Sequence, residues 1–262
     1  MTAIIYLSFI SFLWAFLLSF IKVASKPKSV LKAADILFKT GFVLVTIFVL
    51  GRWYAAGRPP FANMYEALIL FSWSMALIYV IFEFNYKVAL PMAPVSLLVL
   101  ITLGITLFLD NTITPLIPAL QSKWISIHVI TYFIGYGALS MSFVMSIVYF
   151  FVVRRSSSLS AQALSYDVLS YRLILFAFPF LSIGMTTGSI WANVAWGTYW
   201  GWDPKETCAL ITWLVYALYL HLRILRGWKD KKAAYLSVFG FLATLFTFIG
   251  VNFLLSGLHS YS

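Results

Sequence analysis

The chain has little of what a water-facing protein needs. Only 10% of its 262 residues are charged, eight acidic against 18 basic, where soluble domains carry about 25%. A hydrated surface cannot be assembled from so few charges while 24 Phe, 15 Tyr and 10 Trp are also housed. That excludes a soluble enzyme and a disordered chain alike. A single cysteine, Cys208, rules out an internal disulfide scaffold. Histidine is scarce as well, at three, so any ligand role falls on few imidazoles. Nothing basic precedes the first apolar run and no small-residue cleavage pattern closes it, so it is expected to remain a helix rather than leave as a signal peptide. What the chain has in abundance is apolar sequence, 62% of residues against roughly 45–50% in soluble domains. It reads as an all-α integral membrane protein.

A helix that crosses a hydrocarbon core of ~30 Å needs about 20 mostly apolar residues. Eight such runs are expected, approximately 3–21, 34–50, 64–82, 88–109, 125–153, 173–190, 207–225 and 234–255. Helix is the only choice, because backbone amides in lipid must be satisfied within the segment and the runs lack barrel-strand alternation. In the fourth run Pro91 and Pro94 either open the helix or kink it. The fifth, at about 29 residues, must tilt or project beyond the bilayer. No internal repeat stands out, and no segment is long enough for a soluble domain. The whole of 1–262 therefore reads as one polytopic membrane domain. Its longest connections are 154–172 and a tryptophan-rich loop at 191–206, in which a short helical element is expected.

The direction of crossing follows from the basic residues. Alternating the eight runs puts Lys22, Lys26, Lys28, Lys32, Lys39, Lys87, Arg154, Arg155, Arg172, Arg223, Arg226, Lys229, Lys231 and Lys232 on one side, fourteen in all. Arg52, Arg58, Lys123 and Lys205 remain on the other. The richer side is cytoplasmic, or stromal in an organelle, by the positive-inside rule. Both termini and the tryptophan-rich loop are then expected on the extracytoplasmic side. The excess positive charge is a matter of topology and calls for no nucleic acid.

Depth now sorts the histidines. His128 lies about one turn into the fifth run and His259 follows the eighth, both on the outer side, while His221 lies within a turn of Arg223 toward the inner side. From Thr207 to His221 the rise is roughly 21 Å at ~1.5 Å per residue, so His221 cannot share a metal ion with the outer pair. Each histidine has a plain reading as a hydrogen-bonded interfacial residue. Two at matching depth also suit axial ligation of haem iron, since coordinating groups at membrane depth are costly and usually functional. Both readings stand at this point.

The loop reads Trp191-Ala192-Asn193-Val194-Ala195-Trp196-Gly197-Thr198-Tyr199-Trp200-Gly201-Trp202-Asp203-Pro204-Lys205-Glu206. An aromatic belt at the headgroup level would explain Trp14 or Trp124, but it explains this density poorly. If helical, Trp196 with Trp200 and Tyr199 with Trp202 are spaced to stack as platforms. Gly197 and Gly201 leave room for a flat ligand to approach the backbone. Asp203, Pro204 and Glu206 have the spacing of an N-cap, a first-turn proline and a capping-box glutamate, opening the seventh run.

Residues 196–207 resemble the tryptophan-rich "WWD" signature of the haem-handling proteins of cytochrome c biogenesis, and most of all the CcsA/ResC type of System II. Three further segments are similar: Gly57-Arg58-Pro59-Pro60-Phe61-Ala62-Asn63-Met64-Tyr65-Glu66, the entry from Trp124 to His128, and Ser256-Gly257-Leu258-His259-Ser260-Tyr261. Tyr219-Leu220-His221-Leu222-Arg223 resembles the family's inner histidine segment. The resemblance runs from Gly57 onward and departs at Cys208, where a tryptophan is expected, and at Val194, where an acidic residue is expected.

What the resemblance implies is a route for haem b across a bacterial plasma or thylakoid membrane. The loop residues Trp196, Gly197, Tyr199, Trp200, Gly201, Trp202 and Asp203 would hold haem, with His128 and His259 as axial ligands to its iron. His221 would mark the inner entry and work with a second histidine from a separate CcsB/ResB-type membrane protein. The product would be haem joined to the Cys-x-x-Cys-His segment of an apocytochrome c, with this chain as a component of the holocytochrome c synthase. No nucleophile is evident, because Cys208 reads as a small packed residue. Glu66 reads as a helix-start carboxylate favoured by the dipole, with a supporting contact to haem or apocytochrome as the other reading. The alternative function is a cytochrome b-like electron carrier with permanently bound haem. A transporter of some other amphipathic solute would need no histidine pair.

Overall fold

The computed structural model describes residues 2–20, 28–86, 91–155 and 160–254. Among them the secondary structure is helical, with no strand. A first compact unit, Met1–Pro115, holds α1 (Thr2–Phe20), α2 (Lys28–Ala56), α3 (Met64–Tyr86) and α4 (Met92–Thr106). A second, Leu116–Ser262, holds α5 (Lys123–Arg155), α6 (Ala161–Trp196), α7 (Pro204–Leu225) and α8 (Asp230–Leu245). From α8 the chain passes through a π-helical turn, Phe246–Gly250, into α9 (Val251–Leu254).

Seven of these helices, α8 taken together with the π-helical turn, are long and apolar enough to cross a membrane, and the chain is an integral membrane protein. The fourth expected run differs. Its helix is 15 residues long, roughly 22 Å at ~1.5 Å per residue. Pro91 is its N-cap residue and Pro94 falls in its first turn, so the prolines open this helix rather than kink it. Beyond Thr106 the backbone tightens, with amides of Leu107, Phe108 and Leu109 donating three residues back to Gly104, Ile105 and Thr106. The connections are also shorter than the sequence suggests. α6 begins at Ala161 and takes up most of 154–172, capped by Ser160, whose hydroxyl accepts from the Ala163 amide at 3.2 Å. Two polar side chains of this added stretch find partners on other helices, Asp167 on Arg223 and Ser170 on Ser142.

In the first unit α1 packs on α2 and α4, and α3 packs on α4 and α2. Phe12 meets Phe38 edge-on at 5.1 Å, and Phe38 leans on Tyr79 at 4.3 Å. One end of this unit is ionic. Glu66, 1% exposed, accepts from Arg52 Nε and Arg58 Nη1, each at 2.9 Å, and from the Ala62 amide at 2.8 Å. Arg52 passes on to the carbonyls of Asn111 and Thr112, and Arg58 to that of Thr114. The guanidinium of Arg52 also lies 5.0 Å from the centre of the Tyr65 ring. Three ions and three main-chain oxygens thus join α2, the turn before α3 and the segment after α4.

In the second unit α5 and α6 share the most extensive contact, and α7 and α8 complete the bundle. Lipid supplies no hydrophobic drive between helices, so close packing and polar contacts hold them. Hydroxyls of Ser142, Ser146, Ser170 and Ser237 lie 2.8 to 3.4 Å apart across α5, α6 and α8. Arg223 of α7 grips both oxygens of Asp167 on α6, at 2.8 and 2.6 Å. The same pair binds the Trp228 carbonyl and the Asp230 amide, fixing the turn into α8. At the π-helical turn, Thr247 Oγ1 lies 2.9 Å from Thr212 Oγ1 and 3.1 Å from the Cys208 carbonyl.

Candidate functional site

His128 sits in the second turn of α5 and is half-buried. Its Nδ1 lies 2.8 Å from the carbonyl oxygen of Gly184 on α6. A carbonyl can only accept, so in the neutral ring Nδ1 carries the proton and the lone pair sits on Nε2. That is the tautomer a metal-ligating histidine adopts when its other nitrogen donates to a backbone carbonyl.

Aromatic rings surround it. Trp191 lies nearly parallel to the imidazole, with centres 6.2 Å apart, and Tyr132 meets it edge-on at 4.8 Å. Trp191 is itself fixed, its Nε1–H donating to the Ala119 carbonyl at 2.7 Å. Trp196 then packs edge-on against Trp191 at 5.9 Å, and its buried Nε1 has no hydrogen-bond partner among the described residues. An indole N–H without an acceptor is a cost, and it fits a site completed by a ligand with polar edges.

The tryptophan-rich stretch is divided. Trp191 to Trp196 form the last turns of α6, Gly197 takes the left-handed C-cap conformation at φ +81°, and α7 starts at Pro204. Between them, 198–203 are not helical. The helical stacking expected of Trp196 with Trp200 and of Tyr199 with Trp202 therefore does not arise. The pairs that meet are Trp191 with Trp196, and Trp200 with Trp202 edge-on at 5.8 Å. The cause is Gly197, whose positive φ turns the chain out of the helix. A side chain there would meet nothing within 4 Å, so backbone conformation rather than crowding calls for glycine. Tyr199 and Trp202 are left 59% and 69% exposed, an apolar surface available to a flat molecule.

Asp203, Pro204 and Glu206 form the expected capping box. Asp203 accepts from the Lys205 amide at 2.9 Å, and Glu206 accepts from the amides of Gly201 at 2.9 Å and Asp203 at 3.2 Å. Glu206 thus holds the loop as well as the helix. Replacing Asp203 with alanine is expected to cost about 1 kcal/mol. The cost would be read as a lower melting temperature in detergent and earlier protease cleavage between Gly197 and Lys205.

His221 is exposed in the penultimate turn of α7. It lies 17 residues beyond Pro204, roughly 26 Å along the helix at ~1.5 Å per residue, and it does not join His128. His259 and its segment 256–261 lie outside the described residues. Glu66 is the helix-start carboxylate expected, with its amide capped by Asn63 at 2.9 Å, but the two guanidiniums enclose it. Among the described residues no group of three or more His, Cys, Asp or Glu side chains could hold a metal ion. The ion-pairing of Arg52 and Arg58 with Glu66, and the part of Gly184, which binds His128, are not among the roles expected from sequence. There the two arginines count as topology charges, and Arg58 also falls in the resembling segment 57–66. The partners that define these roles, Glu66 and Thr112 for the arginines and His128 for Gly184, lie 8 to 60 residues away. The signal the sequence carries for one of them is the spacing Gly184-x-x-x-Gly188, which permits a close approach.

The family model described as "Cytochrome C assembly protein" matches residues 61–259. A curated relative, "Cytochrome c biogenesis protein CcsA" of Trieres chinensis, is 39% identical over 259 residues, covering 83% of each chain. The protein of the same description from Cyanophora paradoxa is 36% identical and covers 84% of each chain. That of Chlamydomonas reinhardtii is 38% identical, covering 84% of this chain and 65% of that one. Among solved structures, "Cytochrome c Heme Lyase CcmF" superposes with a TM-score of 0.69 at 19% identity. It covers 94% of this chain, which spans 46% of its length. At that identity the likeness is one of fold.

Proposed function

The chain belongs to the cytochrome c assembly protein family and acts in cytochrome c biogenesis; from that premise we propose that it carries haem b across the membrane and presents it to apocytochrome c. The observation that carries this reading is the seat of His128. Its Nδ1–H is fixed on the Gly184 carbonyl, its Nε2 bears the lone pair, and its ring lies against Trp191 at the root of the tryptophan-rich loop. Trp196, Gly197, Tyr199, Trp200, Gly201, Trp202 and Asp203 form the holding surface. His259 supplies the second axial nitrogen by its place in the family's pattern.

The reaction asks for positioning more than for reactive side chains. A cysteine S–H of the apocytochrome adds across each haem vinyl group: a sulfur–carbon bond forms, the hydrogen goes to the neighbouring carbon, and no electrons enter or leave. Holding the two reactants together makes this nearly unimolecular. With haem seated on it the aromatic wall would shield the reacting edge from water, and an axial imidazole would tune the iron.

The site faces outward in this reading. With α4 counted as a crossing, fourteen of the 18 basic residues fall on one membrane face; leaving it out splits them ten and eight. The tightened turn after Thr106 supports the crossing, since 18 residues from Met92 to Leu109 then reach roughly 28 Å, close to the ~30 Å of a hydrocarbon core. Both termini are then extracytoplasmic, in a bacterial plasma or thylakoid membrane. His221 lies toward the inner face in this reading, where a CcsB/ResB-type protein would bring the second histidine.

The test is an absorption spectrum of the protein purified with such a partner. Wild type is expected to show a haem Soret band. Replacing both Tyr199 and Trp202 with alanine is expected to weaken haem retention roughly tenfold or more, each aromatic stack being worth about 0.5–1.5 kcal/mol. A colourless wild type overturns the reading. Stoichiometric haem that persists when apocytochrome is supplied overturns delivery and identifies a cytochrome b-like carrier.

A further inference from the structure

The seat of His128 is made by absences as much as by contacts. A Cβ placed on Gly188 would lie 2.3 Å from Nδ1 and 2.6 Å from Cε1 of His128. One on Gly184 would lie 2.7 Å from Cδ2 of Tyr132, the ring that meets His128 edge-on. No side chain tolerates such separations, so the two rings occupy volume that any other residue at 184 or 188 would fill. Gly135, in the same helix pair, is different: its nearest neighbour would be the flexible end of Leu181 at 3.2 Å, which need give by only a few tenths of an ångström. The two α6 glycines are one helical turn apart, matching the turn between His128 and Tyr132 on α5.

We propose that Gly184 and Gly188 are positioning residues for His128. Gly184 supplies the carbonyl that holds Nδ1–H and so keeps the lone pair on Nε2, and Gly188 supplies the empty volume through which the ring reaches that carbonyl. The functional part rests on His128 as a haem ligand; the steric part does not. The backbone acceptor survives a Gly188→Ala exchange, so what the variant removes is the ring's place, not its hydrogen-bond partner. A displaced imidazole loses the Gly184 carbonyl and with it the fixed placement of Nε2.

The experiment uses the full chain purified with its partner, in wild type, Gly188→Ala, Gly135→Ala, His128→Ala and the His128→Ala/Gly188→Ala double variant. Haem absorption is expected to fall about 10–100-fold in Gly188→Ala and to stay near wild type in Gly135→Ala. Free imidazole restores the band in His128→Ala, where it enters the vacated seat, and not in the double variant, where the Gly188→Ala methyl stands in that seat. In haem-free protein, Gly188→Ala lowers the melting temperature, and adding His128→Ala raises it again because the clash is gone. Wild-type absorption in Gly188→Ala, or equal rescue of the single and double variants by imidazole, overturns the positioning role. If His128→Ala keeps its haem, the ligand reading fails by itself. The melting comparison still decides the seat, and a double variant no more stable than Gly188→Ala overturns it.

Discussion

Replacing His128 with alanine is expected to bring holocytochrome c to the level of cells lacking the protein, a fall of about two orders of magnitude or more. The ring is the one described imidazole whose tautomer is fixed for ligation, by the Gly184 carbonyl at 2.8 Å. A His128→Asn variant separates ligand from fold. Its side-chain amide can donate to the same carbonyl and fill much of the same space, yet it offers the iron no imidazole nitrogen. Asn is therefore expected to preserve the melting temperature and lose the haem. His221→Ala makes the contrast: that residue stands exposed near the far end of α7, so its loss is expected to slow haem supply while leaving ligation at His128 intact. Holocytochrome levels are read by haem stain, and ligation by the absorption spectrum. Normal maturation in His128→Asn would defeat the ligand assignment.

The largest expected effect on stability comes from Glu66→Ala, which strips the counter-charge from two buried guanidiniums. Arg52 and Arg58 are 5% and 7% exposed and each has Glu66 as its ion-pair partner. Breaking a buried pair by removing one member costs about 3–5 kcal/mol, because the remaining charge is left uncompensated. Here two charges are left, and the Ala62 amide loses its acceptor as well. Extraction of folded protein from membranes should drop sharply, with a melting temperature far below wild type. Glu66→Gln keeps the acceptor for Ala62 and one contact, and should fall between the two. A Glu66→Ala protein that melts with wild type would show that the carbonyls at 111, 112 and 114 suffice for the guanidiniums.

Much of this was legible from residue order, and what was not has a physical cause. Composition and run length predict eight crossing runs, of which seven are helices long and apolar enough to cross, and α3 begins at Met64 as expected. The cap at Asp203 to Glu206 was legible because it is local: its donors and acceptors lie within six residues, 201 to 206. The tryptophan pairing was not, since a single left-handed residue, Gly197, decides whether helical spacing applies. The fourth run looked longer than its helix because apolar composition continues past the point where the backbone tightens. The role of Arg58 was hidden in plain view. A charge beside a membrane reads as topology until a buried carboxylate is brought to it, and that requires α2, α3 and the segment after α4 to meet. His128 could be singled out by depth, but its tautomer depends on a carbonyl 56 residues away.

The ionic clasp of the first unit has a consequence for how this chain can vary. Arg52 and Arg58 take hold of 111, 112 and 114 by their main-chain oxygens, which all twenty amino acids possess. Spelling at those three positions is therefore nearly silent to the clasp. Adding or deleting one residue there would offer the guanidiniums the wrong oxygens. What the stretch must keep is its length, not its lettering.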